Sequence, residues 1–419
     1  MQLKNSKGQV INVEEKPFAH GGEGDVHRVV GSLYADCCVK IFHEGKIAGR
    51  KAKLEYMIKH PLATPANSIY RICWPMDFVY KGQKCVGFLM TLAFPDSHSL
   101  YDIYLKEGSI LFKRETQRGM LNRLRLLYNI SNAINNLHVS GYVLTDFKPQ
   151  NILFTDKGKI SMIDMDSVQI VTNGVLKFGS TAFTLEYAYP KEIGRISSKQ
   201  PLSAAWDVYG YGIVAYQMLM GIHPFTASTN VSGISTQDQL MSNNLFPFGS
   251  RRKDIYAAPP PHYYYTKLDK SLRLLFVKTF DLTKNPPRMS EWKDILKKII
   301  QEEAVYPNTI KADIKSGKPL FFLLSDIPEN CNINDIVTLE WKTFNCQKLI
   351  VNGKDRTNVS STRVSVPDDR TIEIVASNAK NTTIKKIVFA VTSLFCTQCG
   401  TKYANIEDKY CTHCGAKRE

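Results

Sequence analysis

Residues 142–154, YVLTDFKPQNILF, place an acid, a base and an amide within six positions: Asp146, Lys148 and Asn151. Pro149 forbids one helix running through all three. Val143 and Leu144 on one side, and Ile152, Leu153 and Phe154 on the other, bury both ends of the turn, so its polar groups converge on one spot. In ISMIDMDSV, residues 160–168, Asp164 again closes an apolar run. Oxygen donors from Asn151 and Asp164 suit a magnesium ion. Asp146 suits orientation or acceptance of a hydroxyl proton, and Lys148 suits neutralisation of charge on a transferring phosphate. The alternative is a polar turn without chemistry; the grouping favours a phosphoryl-transfer site.

Upstream, AHGGEGDVHRV (19–29) crowds Gly21, Gly22 and Gly24 into a turn between two strand-like runs. Glycines there let backbone N–H groups approach a phosphate, although a ligand-free hairpin fits the same residues. Lys40 follows inside the apolar run CCVKIF (37–42), where a lysine is costly unless paired. A bound phosphate and a helix carboxylate would both offset that cost. Glu55, in KLEYMI (53–58), lies fifteen residues on at a helical position.

The chain has 419 residues, 43% hydrophobic and 22% charged, which fits a globular protein of several domains. No apolar run is long enough to span a bilayer. MQLKNSKGQVINVEEK, at the start, lacks the apolar core of a secretory leader, so the expected location is the cytoplasm. A net charge of +15, spread along the chain, favours anionic partners such as nucleotides. The first 92 residues read as strands around one helix (50–60) that Pro61 ends. Helical spacing dominates 118–138 and 204–221 and continues to about residue 301. A linker is expected over 301–318. After it, alternation returns in IVTLEW, KLIVNG, RVSV, TIEIVASN and IKKIVFAV, with Asn352-Gly353 as a turn.

These motifs, in this order, resemble the eukaryotic-like (Hanks-type) Ser/Thr protein kinases over roughly residues 10–300. The family's glycine-rich G-x-G-x-x-G-x-V corresponds to Ala19, Gly21, Gly24 and Val26. Its strand lysine corresponds to Lys40, its catalytic loop to Asp146, Lys148 and Asn151, and its D-F-G to Asp164–Met165–Asp166. Thr184 falls where the family has a threonine touching the catalytic aspartate, Asp207 where an aspartate anchors the catalytic loop, and Arg288 at the late arginine. The resemblance implies an α+β bilobal kinase fold, with an N-lobe over 1–92 and a C-lobe over 93–303. It implies ATP and Mg2+ (or Mn2+) as cofactors and catalytic roles for Asp146, Lys148, Asn151, Lys40, Glu55 and Thr184. Nucleotide contacts are implied for Gly21, Gly22, Gly24, Val26, Lys40, Met90, Leu92, Asn151 and Asp164, and magnesium ligation for Asn151 and Asp164. Glu55 is placed by spacing, with Glu44 as its alternative. The chain departs from the family at Leu144 and Thr145, which replace His and Arg; at Asp166, which replaces the glycine of D-F-G; and at Lys191, which replaces a glutamate that pairs with the late arginine. Glu192 could supply that pair, or the pair is absent. Loss of the loop arginine implies that activation-segment phosphorylation, for which Ser180, Thr181 and Thr184 are candidates, is not a strict switch.

The C-terminal CTQCGTKYANIEDKYCTHCG holds Cys396, Cys399, Cys411 and Cys414 as two CxxC knuckles. Two-residue spacing turns both thiolates of a knuckle toward one ion, and four thiolates close a tetrahedral zinc shell. Residues 395–419 resemble a zinc ribbon, in which Zn2+ is structural. Residues 318–392 resemble a small Ig-like β-sandwich with Trp341 in its core. Together these features point to a Ser/Thr protein kinase that transfers the γ-phosphoryl of ATP to protein hydroxyls, its C-terminal modules recruiting partner or substrate. The alternative is a nucleotide-binding pseudokinase scaffold. Bacterial kinases with such a ribbon resemble members of tellurium-resistance and stress gene clusters, which implies a von Willebrand A domain protein and a metal-dependent protein phosphatase as partners. Nucleic-acid binding and membrane insertion are not expected.

Overall fold

A computed structural model describes residues 1–31, 33–62, 68–105, 110–180, 182–325, 327–328, 331, 333–389, 398–399, 401 and 410–416. The chain divides into two compact units, Met1–Asn308 and Thr309–Glu419.

The first unit begins with seven antiparallel strands: Gln2–Asn5, Val10–Val13, Ala19–His20, Gly24–Val30, Cys37–Phe42, Pro75–Lys81 and Lys84–Thr91. Pairing of Asn12 with Val30 and of Val13 with Val29 folds this sheet back on itself. Alternation sorts the Cys37–Phe42 strand between two cores. Cys37 and Val39 join Leu3, Ile11, Val79 and Leu89. Cys38 and Phe42 join Leu54, Phe78, Phe88 and Met90 on the opposite face. Lys40 lies between Cys38 and Phe42 in the strand and therefore shares their face. That face is covered by the helix Lys51–Lys59, which contributes Leu54 and stops at His60, just before Pro61. Gly24 is required by a close approach: a Cβ there would lie 2.3 Å from the Ile41 carbonyl oxygen. Only glycine lets the turn's second strand run this near the lysine strand.

Helices dominate the rest of the unit. The 23-residue helix Gln117–Val139 is capped by the Thr116 hydroxyl, which accepts from Gly119 N at 3.0 Å. The helix Ala204–Met220 is apolar almost all round and buried from Trp206 to Met220, as expected of a central helix. Gly221, with φ of 73°, ends it. Lys270–Phe280 and Met289–Gln301 follow. Short strands carry the polar turn: Ile152–Phe154 pairs antiparallel with Ile160–Met162, and Tyr142–Val143 with Gln169–Thr172. This brings residues 144–151 beside residues 163–168, and the Ile163 N–H donates to the Asn151 carbonyl at 3.0 Å.

In the second unit, two antiparallel sheets share one core. One sheet is built from Leu320–Leu323, Ile336–Phe344 and Ser361–Ser365, the other from Lys354–Asp355, Lys348–Val351, Thr371–Ser377 and Thr382–Val388. Leu339, Trp341, Leu349, Val351, Ile372 and Ile374 fill the space between them. Asn352 and Gly353 both take positive φ, 48° and 74°, and make the tight hairpin their sequence indicates. The stretch read as a linker is not wholly irregular. It contains the six-residue helix Ile310–Lys315, anchored by a fully buried Ile310. A single apolar anchor leaves no periodicity to read.

Candidate active site

Asp146 is held from two sides. The Thr184 hydroxyl donates to its Oδ1 at 2.7 Å, and Lys148 Nζ reaches its Oδ2 at 2.6 Å. Lys148 also stands 3.4 Å from the Thr184 hydroxyl. Asn151 Nδ2 donates to the Asp146 carbonyl at 3.0 Å, which commits the amide's donor end to the loop. The base of the loop is fixed by Asp207, fully buried on the first turn of the central helix. Its Oδ2 accepts from Leu144 N at 2.9 Å and bonds His138 Nε2 at 2.8 Å. Thr145 donates its hydroxyl to the Ser167 carbonyl at 2.9 Å, and Trp206 donates to the Thr145 carbonyl at 3.0 Å. The first bond fastens the loop to the segment that carries Asp164, the second to the helix Ala204–Met220.

Asp164 leaves its strand with φ of 61°, and the Ser167 hydroxyl closes the turn on the Asp164 carbonyl at 2.8 Å. Lys40 crosses from the sheet to this turn. Its Nζ lies 2.8 Å from Asp164 Oδ1 and 2.8 and 2.9 Å from the two Asp166 oxygens. Burial works against the Lys40 charge, yet Asp166 and Asp164 together hold its ammonium above the ordinary lysine value. Burial likewise opposes ionisation of Asp164, but Lys40 outweighs it and keeps that carboxyl below the usual range. Burial pushes Asp166 up. The glycine turn borders the same lysine: Val26 pairs with Lys40 across the strands, and Gly21 N–H closes the turn on the Gly24 carbonyl at 3.0 Å. Gly22 has open space around it.

Residues 67–305, more than half of the chain, match the family model described as the protein kinase domain. The chain belongs to the protein kinase family. The chain is 25% identical to the serine/threonine-protein kinase Doa of Drosophila melanogaster over 286 residues, which cover 62% of the chain and 32% of Doa. It is 26% identical to protein kinase YegI of Escherichia coli O157:H7 over 258 residues, 59% of the chain and 38% of YegI. It is 25% identical to the serine/threonine-protein kinase Sgk1 of Mus musculus over 236 residues, 52% of the chain and 51% of Sgk1. Each match therefore spans about half or less of the relative's own length.

The fold thus brings Lys40 to Asp164, and Lys148, Asn151 and Thr184 to Asp146, and joins the two groups through the bond from the Ile163 N–H to the Asn151 carbonyl. Two expectations need correction. Glu55 does not reach Lys40: it is exposed and bonds Lys59 at 2.7 Å, one turn along its own helix. Glu192 does not pair with the late arginine: it is buried and receives Ser203 N and Oγ at 2.9 and 2.7 Å, while Arg288 is exposed. Leu92 has both backbone groups engaged within the protein, its N–H donating to Asp36 O and its carbonyl accepting from Arg71, each at 2.8 Å. Met90 is buried on the same face as Lys40.

Sequence reasoning treated Asp166 as a disturbance of a turn and overlooked Lys53. The only signal was the lysine of KLEYMI itself, two residues before Glu55; its burial shows only in the fold. In the second unit, the sulfurs of Cys399, Cys411 and Cys414 lie within 4.8 Å of one another, Cys399 and Cys411 at 3.6 Å. Hydrogen bonding to Thr401 pulls the Cys399 thiol down to about 6, toward the thiolate that a metal requires. Cys396 and Thr181 lie outside the described residues.

Proposed function

We propose that this chain is an ATP-dependent Ser/Thr protein kinase, transferring the γ-phosphoryl of ATP to protein hydroxyls. The observation that carries the reading is the two-sided hold on Asp146. A carboxylate fixed by Thr184 and Lys148 can orient a substrate hydroxyl and accept its proton. Lys148, beside it, lies where charge develops on the transferring phosphoryl group. Lys40 neutralises phosphate oxygens from the strand side, beneath the glycine turn. Oxygen donors fit magnesium: Asp164 has a partly exposed carboxylate, and Asn151 spends its amide N–H on Asp146, which leaves its oxygen for a cation. Bound Mg2+ would supply charge neutralisation on the ATP phosphates. Retention of Lys40, Asp146, Asn151 and Asp164 favours an active enzyme over a pseudokinase scaffold. Phosphoamino-acid analysis of a labelled basic protein substrate tests the reading. Phosphoserine and phosphothreonine are expected; phosphotyrosine, or no phosphoamino acid at all, would overturn it.

We further read the two-sheet module as an Ig-like sandwich and residues 395–419 as a zinc ribbon closed by Cys396, Cys399, Cys411 and Cys414. The chemistry of three convergent thiols supports zinc. In this reading both modules recruit a substrate or a partner in the cytoplasm. A von Willebrand A domain protein and a metal-dependent protein phosphatase are the partners suggested by resemblance.

A further inference from the structure

The carboxylate that holds the strand lysine comes from an unexpected element. Lys40 lies on the sheet face covered by the helix Lys51–Lys59, and spacing placed its acidic partner on that helix. The helix supplies none. The Glu55 side chain is 53% exposed and engaged with Lys59. The residue this helix buries toward the site is a base, Lys53, 8% exposed. Lys53 makes no ion pair among the described residues, and burial pulls it down to about 8, with Asp166 the largest charge acting to keep it protonated. Asp166 itself is 3% exposed, and its two oxygens grip Lys40 Nζ at 2.8 and 2.9 Å. Arg50, at the start of the same helix, lies 3.8 Å from Asp166 Oδ2 and also bonds Glu23 in the glycine turn.

One buried carboxylate therefore answers to three cations: Lys40 from the sheet, and Arg50 and Lys53 from the helix. The charges at two positions differ from the pattern the sequence resembles. The acid has left the helix and stands two residues after Asp164, where that pattern has glycine. The helix carries a base in return. A buried carboxylate without cations, or a buried lysine without an acid nearby, would be strongly disfavoured, so each change makes the other tolerable.

We propose that Asp166 is the positioning residue for Lys40 during phosphoryl transfer, filling the role expected of Glu55, and that Lys53 marks the helix position this carboxylate vacated. The anchor of the phosphate-facing lysine then belongs to the segment that carries Asp164. Helix movement leaves the Lys40 pair intact, whereas rearrangement of residues 164–167 breaks it and displaces Asp164 at the same time. This inference rests on Lys40 meeting the phosphates of ATP.

The test uses the full chain as wild type, Asp166→Gly, Lys53→Glu, and the double variant with both changes. Binding of Mg·ATP and of adenosine is measured by calorimetry beside phosphate transfer to a basic protein, with thermal unfolding of each variant as a control. Asp166→Gly is expected to lower kcat/KM for ATP about 100-fold, the scale of a misplaced reacting group, while leaving adenosine affinity unchanged. The double variant restores a carboxylate beside Lys40 from the helix side and is expected to recover at least about tenfold of that loss. If Asp166→Gly stays close to wild type, or if a folded double variant does no better than Asp166→Gly, the proposal fails. Should Asp166→Gly not fold, Asp166→Asn, which keeps the side-chain volume, is read against the same double-variant rescue. Should wild type bind ATP but transfer nothing, the kinase reading fails, and the ratio of ATP to adenosine affinity across the four proteins still decides the role of Asp166.

Discussion

Lys53 and Glu55 stand two residues apart on one helix and end in opposite surroundings. Two residues of α-helix turn through about 200°, so when one faces the sheet the other faces water. Spacing along the chain located the helix but not its rotation about its axis, which is why Glu55 was chosen and Lys53 passed over. The rotation is set by Leu54 and Met57, which the helix buries with Lys53. Residues whose role depends on backbone position were more legible. Asp146, Lys148, Asn151 and Asp164 sit in short turns between buried strands, where chain direction leaves little freedom. Thr184 offers a direct check at this scale. Its hydroxyl bonds an anionic carboxylate at 2.7 Å. Thr184→Ala is expected to reduce phosphate transfer about 10- to 100-fold, the loss that follows from one hydrogen bond to a charged group. Thr184→Ser, which keeps the hydroxyl, is expected to retain most of the activity. Steady-state transfer rates for the two variants make the comparison.

Among the elements, long amphipathic or fully apolar runs announced themselves. The strand Cys37–Phe42 and the helices Gln117–Val139 and Ala204–Met220 match their sequence signals closely. Elements held by tertiary contacts alone did not. The two-residue strands Ala19–His20 and Tyr142–Val143 exist because neighbours pair with them. The 3-10 run Pro260–Lys267 carries another feature that only packing explains. His262 is fully buried, with Nδ1 2.7 Å from the Tyr216 hydroxyl and Nε2 2.8 Å from the Thr226 carbonyl. This arrangement suits the neutral ring, Nε2–H donating and Nδ1 accepting. Burial lowers its pKa from 6.5 to about 4. The unfolded chain therefore binds a proton at a pH where the folded chain does not. Stability is complete above about 6.5, is lost as pH falls toward about 4, and loses nothing further from this residue below that. The full loss is about 3 kcal/mol. Urea unfolding between pH 7 and pH 4 measures it, and His262→Gln is expected to flatten that part of the profile.

For the whole molecule, apolar cores hold the first unit and the two-sheet part of the second, and the sulfur-bearing end is the exception. The unit Met1–Asn308 buries a large aromatic core around Tyr216, Phe225, Phe246, Phe276 and Phe280. Its position in the protein kinase family was readable because six motifs recur in order along one chain. Among the described residues of the sulfur-bearing end of the second unit, the buried cluster is Cys411 with a partly buried Ala416 against it. If its thiols hold zinc as proposed, metal binding would supply its folding energy. Treatment with a strong chelator is expected to release zinc from the full chain and expose the thiols of Cys399, Cys411 and Cys414 to alkylation. The unfolding transition of the aromatic-rich unit should stay in place. Mass spectrometry of the alkylated protein, with and without chelator, reads the first effect, and calorimetry reads the second.

The central claim is that Lys40, Asp146 and Asp164 form one phosphoryl-transfer centre. Transfer of labelled γ-phosphate from ATP with magnesium, to the chain itself and to a generic basic protein, tests it most directly. Wild type, Lys40→Met and Asp164→Ala are compared side by side. The expected result is label with wild type and none with either variant. Absence of label with wild type, while ATP still raises its unfolding temperature, would contradict the claim and leave a nucleotide-binding scaffold in its place.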